Sequence, residues 1–282
     1  MSSGYFERDS VTWRVIGHPA ALVGGMRALL LQALHPLAMA GVAQHSNYLE
    51  DPVGRLQRTA GYVSTLTFGT RDEADAAVSQ VRAVHRFVKG TDPVTGRRYS
   101  ASNQDTMLWV HCVEVHSFLA AYRAYARPIS AADQDRYLAE QVTAAQLIGI
   151  SRVHVPASVA EYREYFASVR GELCTSPDAE AAIAFVRRPS LPAMPAPVRM
   201  LLQPSFMLLG EAATALVPSS LRELAGVPGP GLLGMPNRVA VAAATNAVGL
   251  AAEMPLLRHA VDAPMARALG TKRRSSRAPL AA

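Results

Sequence analysis

Residues 70–90 read TRDEADAAVSQVRAVHRFVKG, and this stretch has both the punctuation and the apolar spacing of an α-helix. Thr70 followed by Glu73 forms a capping box, and Gly90 is a residue type that often follows a helix end. Between them, one face at i, i+3, i+4 spacing carries Ala74, Ala77, Val78, Val81, His85 and Val88. We therefore predict a helix that ends near Gly90 and carries His85 on its apolar face.

Similar punctuation predicts further helices along the chain. We expect an apolar helix between Pro19 and Pro36, one that begins at Asp51-Pro52, and others over 105–125 and 130–149. Ser158 with Glu161 forms a second capping box, and Pro177 begins a shorter helix. The sequence contains no convincing strand pair, no repeat and no glycine-rich phosphate loop. The predicted fold is all-α, a single helical domain that is globin-like in style.

The 282 residues divide by composition into three parts. We predict a helical core over 1–187, a proline-rich strap with C-terminal helices packed on the core over 188–270, and a basic disordered tail over 271–282. The net charge is +6, and the four basic residues of the tail leave +2 for the rest of the chain. No general nucleic-acid surface is therefore expected.

Cysteine usage and the N-terminus favour a reducing compartment. Cys112 and Cys174 are 62 positions apart without a CxxC pair, so we expect two free thiols rather than a disulfide framework or a cysteine-rich zinc site. MSSGYFERDS lacks the pattern of a secretory signal, which predicts a cytoplasmic location. The apolar stretches 28–43 and 239–257 are interrupted by polar residues and are expected to be buried helices. Peripheral membrane contact stays open.

Two of the eight histidines, His85 and His111, lie on apolar helical faces. His111 is grouped with Leu108, Cys112, Val115 and Phe118. Burial of an imidazole is costly unless a hydrogen bond or a metal satisfies it. Each is therefore either a hydrogen-bonded core histidine or a ligand-binding one, and periodicity alone does not separate the two. The segment HCVEVH, residues 111–116, is not a zinc-protease motif. Its two imidazoles are at i, i+5 and point about 140° apart.

The helix after Asp51 carries a second unusual pattern. Gly54 and Gly61 would permit the close approach of another helix or of a flat ligand. One face of this helix carries Arg55, Arg58, Thr59 and Tyr62. Two arginines on one helix face are usually solvated. Beside a buried histidine, however, they suit an anionic group such as a porphyrin carboxylate, or a bound oxygen species.

Four segments resemble, in order, the motifs of a bacterial and fungal oxygenase family. They are QALHPLAMAGVAQHS, DPVGRLQRTAGYVSTLTFGT, VHRFVKG and LWVH, and the resemblance covers residues 12–170. The family includes latex-clearing protein, which is a bacterial rubber oxygenase, and the MpaB-type oxygenases of fungi.

The resemblance implies an all-α fold that holds one non-covalent b-type haem through a single protein imidazole. At the matching positions, His85 would be the proximal iron ligand, and Arg55 and Thr59 would flank the haem on its distal side. Arg58 stands where the family has a lysine, and because a guanidinium stays protonated it is not expected to bind iron. The family also has a proposed catalytic glutamate. Glu50 lies near the matching position, but its spacing does not fit, so cleavage of polyisoprene is not expected.

We therefore predict a cytoplasmic haem b-dependent oxygenase that acts on a small apolar intracellular substrate with dioxygen. His85 is predicted to bind the iron, and Arg55 and His111 to contact the cofactor. Arg55, Arg58 and Thr59 are predicted to be catalytic residues of the distal pocket. The alternatives are a non-catalytic helical protein that binds an apolar ligand and a peripheral membrane-associated protein. Self-association is left open, and no nucleic-acid partner is predicted.

Overall fold

The structure is a computed structural model that describes residues 4–46, 52–189, 196–229 and 236–252. These ranges form twelve α-helices, two short 3₁₀ helices and one antiparallel pair of strands, which confirms the predicted all-α class. In chain order the α-helices are α1 (Val11–Ile16), α2 (Ala21–Gln32), α3 (Pro36–His45), α4 (Pro52–Phe68), α5 (Arg71–His85), α6 (Gln104–Tyr125), α7 (Ala131–Ile148), α8 (Val159–Val169), α9 (Pro177–Arg187), α10 (Ala196–Ala215), α11 (Ser219–Leu224) and α12 (Arg238–Ala252). The strands are β1 (Lys89–Thr91) and β2 (Arg98–Ser100), and the 3₁₀ helices are Arg152–His154 and Arg170–Glu172.

Helix α6 is the central element of the fold. It is apolar on several faces, as expected for a helix that is covered on more than one side. Trp109 and Val113 pack into a core cluster with α2, α9, α10 and α12. Cys112 and Leu119 pack into a second cluster with α1, α7 and α8. One helix therefore joins the two halves of the core.

The pairing of α2 with α6 is the most extensive helix contact among the described residues. Gly24 makes this approach close, since a Cβ atom there would lie 2.8 Å from Phe118 Cδ1 and 2.9 Å from Phe118 Cα. Arg27 is buried in the same interface at 2% exposure. Its guanidinium donates to Leu216 O at 2.9 Å and to Ser117 Oγ at 2.7 Å. The charged group thus ties α2 and α6 to the end of α10.

A third layer is formed by α4 and α5, which pack on each other and, through α5, on α7. Its small core contains Leu66, Ala74, Val78 and Ala144 together with Phe6 from the N-terminal segment. Helices α4 and α5 are antiparallel neighbours joined only by Gly69 and Thr70. This layer lies apart from α2 and α6, and a cavity separates them.

Most of the predicted helix punctuation is present. At Thr70 both bonds of the capping box form: the Thr70 amide donates to Glu73 Oε2 at 2.9 Å, and the Glu73 amide donates to Thr70 Oγ1 at 3.3 Å. Ser158 caps α8, but Glu161 reaches back to the amide of Ala157 instead of that of Ser158. Helix α9 begins at Pro177 as predicted, and both cysteines are free.

The predicted end of α5 at Gly90 is wrong, and so is the expectation of no strand pair. The helix ends at His85, and Gly90 lies in β1 opposite Tyr99. The amide of Val88 donates to the His85 carbonyl at 3.2 Å, and this turn leads directly into the hairpin. The two strands are only three residues long each, too short to show a clear alternation in the sequence.

Two other predicted boundaries differ or lie outside the described residues. The apolar helix expected up to Pro36 ends at Gln32, and Pro36 begins α3, capped by His35. The second half of the proline-rich stretch is helical, because 196–204 lies in α10 with Pro204 inside the helix. Asp51, Glu50, the segment 230–235 and the basic tail lie outside the described residues.

Within the described ranges, no single helix combines the length and the apolar composition needed to cross a membrane. The pair α2 and α3, which bend by 103° at their junction, meets that criterion only when the two are taken together.

Candidate functional site

A cavity of about 830 Å³ lies between the α4–α5 layer and helices α2, α3 and α6. We call it the central cavity. Its walls are largely apolar, and α7, α9 and Phe206 of α10 also contribute to them. The volume falls within the range of small-molecule and cofactor sites, which are mostly apolar with a few polar groups. The polar groups of this cavity therefore decide what it can bind.

All five residues predicted for the site line the central cavity. Arg55, Arg58 and Thr59 come from α4, His85 from the end of α5, and His111 from α6. The structure therefore brings together residues that are up to 56 positions apart in the sequence. Their roles stay predictions, but their common location is a structural fact.

Helix α4 places its polar residues along one stripe that faces the cavity. The cavity is lined by Arg55, Arg58, Thr59, Tyr62 and Val63, whose spacing of three or four residues is that of one helix face. Arg55 donates to Ser46 Oγ at 2.5 Å, which holds its guanidinium against the end of α3. Thr59 Oγ1 donates to the Arg55 carbonyl at 3.1 Å. The end of the stripe that carries the arginines is thus next to α3, and Tyr62 lies about one helical turn further along α4.

His85 is half-buried at the last residue of α5, and its ring lines the cavity. Its Nδ1 atom is buried and has no hydrogen-bond partner among the described residues. Burial lowers the pKa of the imidazole, so the neutral form is favoured. Since the helix cap and the hairpin fix the backbone on both sides, the ring is presented to the cavity from an ordered turn.

His111 lies in the middle of α6 and also faces the cavity. Its Nε2 atom is buried and finds no hydrogen-bond partner in the part of the chain that the structure describes. Burial lowers the pKa of the imidazole to about 4. A neutral imidazole with an unsatisfied buried nitrogen is a good ligand for a metal or a good partner for a polar ligand. Periodicity alone did not separate a hydrogen-bonded core histidine from a ligand-binding one, and the unsatisfied nitrogens favour the second interpretation for both His85 and His111.

Other histidines of the described chain have hydrogen bonds that account for them. His35 and His18 accept bonds from the amides of Ala38 and Ala20, and His45 Nε2 lies 3.2 Å from the Lys89 carbonyl. His116 Nδ1 lies 3.3 Å from Arg27, on the side of α6 away from His111. The expected divergence of the two HCVEVH imidazoles is therefore confirmed, and the described residues contain no cluster of three or more metal-ligating side chains.

Glu114 is a cavity residue that the sequence analysis missed. It is one turn beyond His111, and the cavity-facing stripe of α6 is Met107, Val110, His111, Glu114, Val115 and Phe118. Burial raises the pKa of its carboxyl group to about 7. The grouping of His111 with Val115 and Phe118 is confirmed, since both line the cavity, but the grouping with Leu108 and Cys112 was wrong, because these two pack toward α7 and α8. A stripe drawn through His111 at i−4, i−1, i+3 and i+4 would have included Glu114.

Comparison with known protein families gives a match that covers most of the chain. A family model described as "ER-bound oxygenase mpaB/B'/Rubber oxygenase, catalytic domain" matches residues 13–250. The match includes α9, α10 and α12, so it extends beyond the four motifs into the C-terminal third. Comparison with curated proteins and with solved structures gives no significant match.

Proposed function

Because the chain belongs to the family of MpaB-type and rubber oxygenase catalytic domains, we propose that it is a haem b-dependent oxygenase acting on a small apolar molecule. The observation that carries this proposal is the central cavity itself. Two neutral imidazoles with unsatisfied nitrogens and a helix stripe bearing two arginines face the same apolar space of about 830 Å³.

The residues present fit a haem group in three respects. A neutral imidazole is the commonest protein ligand of haem iron, and burial keeps both His85 and His111 neutral. Apolar walls suit the porphyrin ring. The guanidinium groups of Arg55 and Arg58 suit the carboxylates of its propionates or an oxygen species at the iron, since arginine binds planar anions through two parallel hydrogen bonds.

We assign His85 as the residue that would hold the iron, because it matches the family motif VHRFVKG and follows the arginine helix directly. Arg55 and Thr59 would then line the distal pocket, Arg58 would add positive charge there, and His111 would contact the cofactor from α6. When bound, haem iron supplies the dioxygen chemistry. The chain's own residues hold and orient the substrate, and the apolar walls exclude water.

Haem reconstitution of the purified protein tests the proposal. We expect uptake of hemin with a Soret band at a stoichiometry of one haem per chain. His85→Ala should abolish stable haem binding in a folded protein, and added imidazole should restore part of it. His111→Ala is the matched control and should keep the haem at some cost in stability. Circular dichroism checks that each variant folds.

The outcomes separate the ligand assignment from the haem assignment. If His111→Ala loses the haem and His85→Ala keeps it, the iron ligand is His111 and the haem proposal stands. A wild-type protein that stays colourless with micromolar hemin would refute the haem proposal. The cavity would then belong to a binding protein for an apolar ligand, which was the alternative from the sequence.

A further inference from the structure

The central cavity contains two polar groups that the haem assignment does not use. Glu114 of α6 and Tyr62 of α4 both line it. Neither the carboxyl group of Glu114 nor the hydroxyl group of Tyr62 has a hydrogen-bond partner among the described residues. A negative charge on Glu114 would raise the pKa of Tyr62, so the two groups lie within electrostatic reach of each other. They lie on α4 and α6, and both line the same apolar cavity.

Most other polar side chains of the cavity wall have bonds of their own. Tyr99 donates to Gln44 Oε1 at 2.8 Å, Gln141 donates to Thr12 Oγ1 at 3.0 Å, and Thr106 donates to Asn103 Oδ1 at 3.4 Å. Tyr137, the other phenol whose pKa is raised by Glu114, lies in the core outside the cavity wall and donates to the Val115 carbonyl at 3.4 Å. The protein therefore satisfies these groups and leaves the pair Glu114–Tyr62 for a ligand.

The protonation states of the pair decide which ligand group it suits. Burial raises the pKa of Glu114 to about 7 and also raises the pKa of Tyr62, so both groups carry a proton below about pH 7. A neutral carboxylic acid and a phenol each present one O–H donor. Two O–H donors in the wall of one apolar site suit a carbonyl oxygen, because together they stabilise the partial negative charge on it.

We propose that Glu114 and Tyr62 form a carbonyl-binding site in the central cavity, which selects an otherwise apolar ketone, aldehyde or quinone. This inference rests on the proposed function, since it names the substrate class of the same cavity. Glu114 and Tyr62 are substrate-positioning groups, and His85 and the arginine stripe remain for the cofactor. A purely hydrocarbon substrate would leave both O–H groups buried without partners, which is unfavourable.

Binding of a matched ligand pair tests the inference. 1-Tetralone and tetralin share one bicyclic skeleton, and only the ketone has a carbonyl group. Their affinities are measured by isothermal titration calorimetry for the wild-type protein as purified and for Glu114→Leu, Glu114→Gln and Tyr62→Phe. We expect Glu114→Leu and Tyr62→Phe each to weaken the ketone about tenfold relative to tetralin, as expected for the loss of one buried hydrogen bond. Glu114→Gln should keep most of the selectivity, since its amide still donates.

A control and a spectroscopic signature distinguish ligand contact from a structural role. Tyr99→Phe removes another cavity hydroxyl, but this hydroxyl donates to Gln44, so the ratio of ketone to hydrocarbon affinity should not change. In infrared spectra of bound ¹³C=O tetralone, two hydrogen bonds should shift the carbonyl stretch to lower frequency in the wild type. The shift should be smaller in Tyr62→Phe and smaller again in the double variant with Glu114→Leu.

Each result decides between retaining and rejecting the site. Equal losses of ketone and hydrocarbon affinity in Glu114→Leu would show that Glu114 only shapes the cavity and would overturn the inference. Failure of the wild type to bind either probe would overturn it as well. The readout does not depend on haem: a protein that takes up no hemin but still selects the ketone would lose the proposed function and keep the carbonyl site. A haem-loaded protein without ketone selectivity would do the reverse.

Discussion

Replacement of Glu114 by glutamine should make the protein more stable at neutral and alkaline pH and leave it nearly unchanged near pH 5. The reason is the raised pKa of the buried carboxyl group, which moves from an ordinary value of 4.5 to about 7 in the folded state. As the pH rises through this window, the unfolded chain releases the Glu114 proton first, so the folded state loses stability. Above pH 7 both states are ionised, and the loss is complete.

The size of the effect follows from linkage. A displacement of the pKa from 4.5 to about 7 corresponds to about 3 kcal/mol of lost stability at about 1.4 kcal/mol per pH unit. Between pH 5 and pH 8 the difference in unfolding free energy between Glu114→Gln and the wild type should grow by roughly 2.5 kcal/mol. In urea titrations this corresponds to a midpoint difference that increases by about 1 M. His111 stays neutral throughout this window, since its pKa is about 4.

The matched control is Glu164→Gln, which removes a carboxyl group from the exposed face of α8. It measures the effect of one lost formal charge at an exposed position of the chain. A Glu114→Gln difference that changes no more between pH 5 and pH 8 than that of this control would refute the reasoning. The carboxyl group would then be solvated or paired with a cation in the folded protein. The proposed carbonyl-binding site would lose the O–H donor that a protonated Glu114 supplies.

Three further perturbations test other parts of the structure. Arg55→Ala should leave the haem content largely intact and change the spectra of added iron ligands, whereas loss of haem would place Arg55 on a propionate instead. Gly24→Ala should lower the unfolding free energy by about 1–3 kcal/mol, because its Cβ would lie 2.8 Å from the Phe118 ring. Gly25→Ala, with open space around the new Cβ, should be neutral or slightly stabilising in the same urea titration. Arg27→Ala should destabilise by roughly 2–5 kcal/mol, since it opens a cavity and leaves buried partners unsatisfied.

Local signals in the sequence were sufficient for the helix starts. The bonds of Thr70 with Glu73, the capping of α8 by Ser158 and the start of α9 at Pro177 are all contacts within a few residues. Such contacts depend only on neighbouring side chains and backbone amides, so a pattern of residue types can identify them. The arginine stripe of α4 was identified for the same reason, since one helix face follows from spacing alone.

Helix ends were less predictable from the sequence than helix starts. The end of α5 at His85 depends on the hairpin that follows, in which the closest paired residues of β1 and β2, Thr91 and Arg98, are seven positions apart. The second half of the proline-rich stretch is helical in spite of its composition, because α10 packs against α2, α9 and α12. In both places a tertiary contact outweighs the local propensity.

By itself, the sequence determined the helical class, the free cysteines, the family and the five residues that were expected at the site. Only the tertiary structure decided which side of α6 faces the cavity. Because α6 is apolar on several faces, the periodicity of its sequence does not fix which face points to the cavity. Whether Cys112 or Glu114 lines the cavity next to His111 depends on how α2, α7 and α8 cover the helix. The tertiary structure also decided that His85 Nδ1 and His111 Nε2 are buried with no hydrogen-bond partner in the described ranges, since a partner contributed by a distant segment leaves no signal in the local sequence.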